Sequence, residues 1–262
     1  MNKIKKVTNL FAAALAIAVF LCGVSCGGDD DDTDSGLQRV DNKTLAAFFG
    51  IPAEAGEKTY TYDAPNDKFN TTIQLNIFRG EDPTVFGNRD ELIRFEWRVG
   101  GLPAMSYYFE IDDGILYLKG FEDAQLDEEL TNAGEGDKRG LREFDPPVEW
   151  FAPFANSDGS PSVQVGDFYG GESAVTFNGA VEIESIKHEI KINSMQTLTT
   201  MEETPRGIED AYVIQYTHPF IEASGEGDRI VDLYVLEPNF GYVSADVRLM
   251  GESYSVTLSK AP

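Results

Sequence analysis

Along most of this chain apolar and polar residues alternate one by one. Ile73, Leu75 and Ile77 are separated by Gln74 and Asn76, and Ile93, Phe95, Trp97 and Val99 by Arg94, Glu96 and Arg98. Met105, Tyr107, Phe109 and Ile111 continue the pattern, and Asp112-Asp113-Gly114 turns the chain into Ile115-Leu116-Tyr117-Leu118. Side chains along a strand point to opposite faces in turn, so a period of two predicts strands with one buried and one wet face. That is the mark of antiparallel sheet. Asn178-Gly179, between residues 174–177 and 181–192, predicts a type I′ hairpin. A slip of phase between Ile183 and Ile186 predicts a β-bulge. Runs at 212–216, 230–236, 242–249 and 254–258 extend a meander whose last turn is placed at Gly251-Glu252, as type II′. His218, just before Pro219, is expected to end a strand.

Helical signals are confined to residues 41–50. Asp41 is an N-cap, Val40 and Leu45 form a hydrophobic staple, and Gly50 before Ile51-Pro52 is a stop. Leu45, Phe48 and Phe49 share a face and are expected to plug one end of the core. Residues 121–147 break the alternation with acids, glycines and Pro146-Pro147. Within them, residues 122–137 hold too few apolar side chains to offset the entropy of ordering, so a mobile, exposed acidic loop is expected. Ca²⁺ binding through Asp127, Glu128, Glu129, Glu135 and Asp137 is the sharper alternative. The fold expected is one mainly β domain over residues 37–262: a single antiparallel curved sheet, open β-barrel or sandwich with a short N-terminal helix.

A different pattern precedes the domain. Lys3, Lys5 and Lys6 lead into an unbroken apolar run at residues 10–21, and Gly23-Val24-Ser25 stands before Cys26. The run is short for a membrane span, and its basic start and small residues fit a secretory signal. The group before Cys26 resembles a bacterial lipobox, which implies cleavage after residue 25 and a lipid anchor, palmitate included, on Cys26. Cys22 competes less well because bulky Phe20 and Leu21 precede it. Both cysteines of the chain lie here, so the exported domain is expected to hold no disulfide. Residues 26–36, with five Asp among 29–34, read as an acidic tether. An EF-hand reading of that run fails at Ser35, where a sharp turn needs Gly, and at Asp41, where Glu closes the loop.

Charge narrows the partners. The chain carries −24, and losing the three lysines of the first 25 residues takes it to −27. With no basic stripe to displace counterions, nucleic acid is not expected as a partner. Charge-driven docking on anionic headgroups is not expected either.

Candidate chemistry is thin. His188-Glu189 begins like a zinc-protease motif, but Ile192 stands where the second His is needed. His188 and His218 are therefore read as ordinary strand or turn residues, and neither a catalytic set, a cofactor site nor a metal site is assigned. No Gly-x-Ser-x-Gly elbow and no Gly-rich phosphate loop occurs. The carboxylate pairs Asp112-Asp113, Glu122-Asp123, Glu128-Glu129 and Glu202-Glu203 read mainly as solvated surface. Trp97, Tyr107, Phe109, Tyr117, Trp150 and Phe151 read as a core face more simply than as a ligand groove, and Tyr108, opposite in phase, is expected to face outward.

Three motifs carry a resemblance: 113–120 (Asp-Gly-Ile-Leu-Tyr-Leu-Lys-Gly), 165–168 (Val-Gly-Asp-Phe) and 234–243 (Tyr-Val-Leu-Glu-Pro-Asn-Phe-Gly-Tyr-Val). Their order over roughly residues 90–260 resembles a group of uncharacterised bacterial envelope lipoproteins, distantly similar in outline to the curved-sheet carriers LolA and LolB. The resemblance implies a β-rich envelope lipoprotein, lipid-anchored and placed at the outer membrane on its periplasmic or surface face. The function expected is a non-enzymatic binding or carrier module, attached to the membrane by its lipid and taking a lipid, glycan or protein ligand. The alternative is a carboxylate-based hydrolase acting on envelope or environmental glycans.

Overall fold

The computed structural model describes residues 38–64, 71–81, 92–198, 209–222 and 224–262. Cys26 and the stretches expected to be a signal and an acidic tether, together with Glu202-Glu203, lie outside the described residues. Residues Gly36–Pro262 form one compact unit.

Helix α1 (Asn42–Phe48) opens it. Asp41 is its N-cap, accepting from the backbone N–H of Lys43 and Thr44, both at 3.0 Å. Gly50, at φ 68°, ends it, and a Cβ there would lie 2.4 Å from the Phe240 carbonyl oxygen, so only glycine fits. The strands that follow are β1 (Gly56–Asp63), β2 (Ile73–Gly80), β3 (Leu92–Val99), β4 (Leu102–Asp112) and β5 (Ile115–Asp123). After helix α2 (Ala124–Asn132) come β6 (Arg142–Phe151), a small hairpin of β7 (Phe154–Ala155) and β8 (Pro161–Ser162), β9 (Phe168–Phe177) and β10 (Ala180–Leu198). The chain ends with β11 (Glu209–Glu222), β12 (Gly225–Glu237), β13 (Gly241–Leu249) and β14 (Glu252–Lys260).

Apart from β7 and β8, every strand pairs antiparallel with its neighbours in the chain, and β14 pairs with β1 to close the circuit. The closing ladder runs Thr61↔Lys260, Tyr62↔Leu258 and Asp63↔Thr257, with a bulge between Thr61 and Tyr62. The shortest link elsewhere is β6 to β9, held by Glu143↔Thr176, Phe144↔Val175 and Asp145↔Ala174 alone. The ladder ends at Asp145, and Ser173 Oγ donates to the Pro146 carbonyl at 2.7 Å.

The alternation read from the sequence sorts the barrel into an apolar inside and a polar outside. In β2, Ile73, Leu75 and Ile77 are buried while Gln74 and Asn76 are half-buried. A barrel that crosses a membrane is built the other way, with its apolar band facing lipid. The inside is filled by rings that meet from facing walls. Trp97 of β3 lies 6.5 Å from Tyr234 of β12, Phe95 of β3 lies 5.9 Å from Tyr242 of β13, and Tyr107 of β4 lies 6.2 Å from Tyr216 of β11. The void left among these rings is about 20 Å³, room for about one water.

The two helices close the two ends. Phe48 of α1 stacks on Phe151 at 5.5 Å, and Phe49 meets Phe151 and Trp150 edge-on at 5.0 and 5.7 Å. At the other end of β5, Asp123 caps α2 by accepting from Gln125 N–H at 2.8 Å and Leu126 N–H at 3.3 Å. Leu126 and Leu130, one helical turn apart, are buried beneath it.

Several expectations change here. The curved or open sheet is a closed barrel, because β1, an alternation through Tyr60 and Tyr62 that the sequence reading passed over, joins β14. The domain has a second helix, and it occupies the stretch expected to be a mobile acidic loop: a cap and two leucines at helical spacing suffice to dock it. The last turn sits one residue earlier, with Met250 and Gly251 at φ 50° and 78°, which is type I′. Strand β11 continues past His218 and Pro219 to Glu222, with a register shift between Pro219 and Ile221 that accommodates the proline. Tyr108 does face the outside of the wall, yet it is buried there against Leu92 and Leu141, its hydroxyl donating to Glu122 at 2.7 Å. The Asn178-Gly179 hairpin and the bulge between Ile183 and Ile186 are present as expected.

Leu126→Ala is expected to lower stability to urea by about 2–5 kcal/mol, the range for an aliphatic side chain removed from a core. A cost below about 0.5 kcal/mol, ordinary for a surface position, would mean that residues 124–132 are an undocked loop after all.

Candidate functional site

The end of the barrel closed by α2 carries a groove outside and a polar pocket inside. The groove, about 420 Å³, runs between α2 with its following 3-10 turn (Gly136–Lys138) and the tips of the β9–β10 and β11–β12 hairpins. Leu126, Leu130, Val181, Ile183 and Ile221 make its apolar surface. Val181 is 60% exposed, because the Asn178-Gly179 turn and the bulges after it lift this hairpin tip away from the barrel.

Four of the charged side chains at the groove form ion pairs, while Glu222 accepts from Ser224 Oγ at 3.4 Å. Lys138 Nζ lies 2.5 Å from Glu135, and Arg142 Nε lies 3.1 Å from Glu182. Arg142 is 1% exposed, a burial that a guanidinium tolerates only when its donors are used. It donates to the carbonyls of Gly140 at 3.0 Å and Lys138 at 2.8 Å, and sits 5.4 Å over the Phe177 ring. It thereby ties the segment after α2 to the β9–β10 hairpin and holds both sides of the groove.

Ile221 also lines the inner pocket, about 30 Å³, so the groove and the barrel interior share this side chain as a border. His188, 1% exposed, projects inward from β10. Its Nδ1 is 2.8 Å from the Tyr216 hydroxyl and Phe144 packs edge-on at 4.7 Å, while Nε2 has no hydrogen-bond partner. Burial, helped by the charges of His218 and Arg229, pushes the ring's pKa down to about 3. The same burial, with Asp232 nearby, holds the Tyr216 hydroxyl well above its ordinary value.

On the far side of Tyr216, His218 stacks on its ring at 4.3 Å. His218 Nδ1 faces the Pro219 carbonyl at 3.0 Å and Nε2 faces Asp232 Oδ2 at 3.3 Å. Both partners are acceptors. Asp232 also accepts from the Tyr234 hydroxyl at 3.3 Å and from Arg248 N–H at 3.2 Å. Asp123 lines the pocket while capping α2, and its carboxyl is raised above the usual range by burial, against the two N–H groups that it accepts. The array can bind and orient a small polar group. Among the described residues, neither histidine has a Ser, Thr or Cys at hydrogen-bond distance to activate, and no three His, Cys, Asp or Glu side chains are grouped to hold a metal ion.

Among the described residues, the carboxylate pairs singled out in the sequence are not brought together across a cleft. Glu122 bonds Tyr108 on the outside while its neighbour Asp123 faces in, Glu129 accepts from Gln125 at 2.9 Å along α2, and Asp112 and Asp113 lie in the β4–β5 turn at the opposite end. Trp97, Tyr107, Phe109, Trp150 and Phe151 are buried core, whereas Tyr117 is only half-buried. The histidines were undervalued, and phase is the signal that finds them. His188 is in step with buried Ile186 and Ile190, and His218 with Tyr216 and Ile214, so each had to point inward.

His188 stays neutral in the fold down to about pH 3, but takes a proton near 6.5 when unfolded. The unfolded chain then binds more protons, so stability is lost as pH falls from about 6.5 towards 3. The wild type is expected to lose stability through this window more steeply than His188→Gln, by on the order of 1 kcal/mol per pH unit. Equal slopes in urea titrations would show that the ring is not held neutral.

No protein-family model, no curated protein and no solved structure matches this chain.

Proposed function

We propose that this chain is a lipid-anchored protein of the bacterial cell envelope, held through Cys26 at the outer membrane on its periplasmic or surface face. Its barrel serves as a non-enzymatic binding module that takes its ligand at the α2 end. The anchor rests on the sequence alone: a basic start, a 12-residue apolar run, small residues before Cys26 and an acidic spacer after it. A barrel with a polar outside fits a domain held in water beside the membrane.

One observation carries the binding role. A groove of about 420 Å³ with mixed apolar and charged walls, in the size range of small-molecule sites, lies over a buried array of hydrogen-bonding side chains. A carrier that encloses its cargo draws less support, because the voids inside, about 20 and 30 Å³, are too small for a lipid chain. The glycan-hydrolase reading draws less again. Glu135 and Glu182, the carboxylates nearest the groove's basic groups, are engaged by Lys138 and Arg142.

Native mass spectrometry of protein released gently from membranes tests both parts. The wild type is expected to carry acyl chains at Cys26 and a non-covalent small ligand, with the ligand lost in Val181→Asp. Cys26→Ala is expected to leave the detergent phase. Retention of that variant with detergent would sink the anchor, and a ligand unaffected by Val181→Asp would move the site elsewhere.

A further inference from the structure

We propose that the α2 end binds a small amphiphile with a single uncharged hydroxyl head, an alcohol or phenol, whose apolar body lies in the groove and whose hydroxyl passes Ile221 to meet Nε2 of His188. The inference deepens the binding-module reading and rests on it.

The starting point is the unpaired nitrogen. A buried polar atom without a partner costs about 1–3 kcal/mol, and folded proteins rarely leave one. His188 is fixed from the other side by Tyr216 at 2.8 Å and by the Phe144 ring, so it cannot turn to satisfy Nε2 within the wall. The pocket that it lines, about 30 Å³, holds about one water or a group of that size. A hydroxyl is such a group.

Two features make the head a hydroxyl. The ring is neutral, so one of its nitrogens carries hydrogen and the other a lone pair. The Tyr216 hydroxyl can give or take hydrogen at Nδ1, which leaves Nε2 free to present either. A hydroxyl both donates and accepts, and so satisfies both tautomers; a ketone or ether satisfies only one. A charged head of either sign would have to lose its water in a pocket walled largely by Met105, Phe121, Phe144 and Ile186, and the pocket's own Asp123 and Arg248 favour neither sign.

The route is set by Ile221, which borders the groove on one side and the pocket on the other. It lies where β11 slips register after Pro219, a break in the ladder that leaves the wall locally less constrained than regular sheet. The apolar body then rests on Leu126, Leu130 and Ile183, with exposed Val181 at the mouth.

The chain holds two histidines, so ¹⁵N-histidine labelling yields a spectrum of two rings. The full-length lipidated protein in phospholipid nanodiscs, also labelled at isoleucine methyls, is titrated with 4-propylphenol and separately with propylbenzene, against empty discs. The phenol is expected to move the Ile221 methyl and the Nε2 resonance of His188 saturably, and to bind about tenfold more tightly than propylbenzene, the worth of one hydrogen bond. His188→Phe is expected to bring the two probes level. Should that variant not fold, Ile221→Trp, which closes the route, is expected to abolish the Nε2 shift while methyl shifts in the groove persist. Equal affinity for the two probes in the wild type, with Ile221 shifted and Nε2 still, overturns the hydroxyl proposal and leaves the groove a binding site. An Nε2 resonance that reports only exchange with a trapped water overturns it too. Absence of any groove shift with both probes overturns the proposal and the binding role of the groove together.

Discussion

Everything in this molecule depends on filling a wide ring. Eight strands close around a space that ordinary side chains fill, and the diameter grows with each strand added. Twelve strands therefore leave an interior that aliphatic residues alone do not span. The chain solves this with rings that meet from facing walls, Trp97 to Tyr234 and Tyr107 to Tyr216, and with a helix at each end. Aromatic side chains bring the largest apolar area, and Tyr adds a hydroxyl that must be satisfied. Tyr60 and Tyr62 meet that demand on the carbonyls of Phe240 and Tyr242, which locks β1 against the start of β13.

The same demand creates the polar array. Tyr216 sits between His188 and His218 with its ring stacked on both, and its hydroxyl uses one of them. Tyr234 needs Asp232, and Asp232 in turn accepts from Arg248 N–H and lies beside His218. A tyrosine-rich core thus draws histidine and aspartate inside with it. The α2 end, where these groups gather, is less uniformly apolar than the α1 end, where Phe48, Phe49, Trp150 and Phe151 pack ring on ring.

Much of this was legible in the sequence because it is local. Alternation through Ile73 to Ile77, the Asn178-Gly179 turn and the Asp41 cap each depend on residues within a few positions, and each is present. Closure was not legible: pairing Tyr62 with Leu258 depends on residues almost the whole chain apart, and no local pattern encodes it. Helix α2 was hidden by composition, since acids dominate the segment and its case rests on Asp123, Leu126 and Leu130 alone. The site was missed for a related reason. Judged as isolated residue types, His188 and His218 match no motif; judged by parity with Ile190 and Tyr216, they belong to the interior. A charge pattern can mislead in the same way, for Glu122 and Asp123 are neighbours in sequence and lie on opposite sides of one wall.

The ladder between β1 and β14 has a temporal meaning. A meander can form hairpin by hairpin as the chain lengthens, but this ring has two raw edges until its final strand is in place. No shorter portion of the chain can complete the circuit, so the strand that closes the ring acts as a latch that topology withholds until the whole domain has been made.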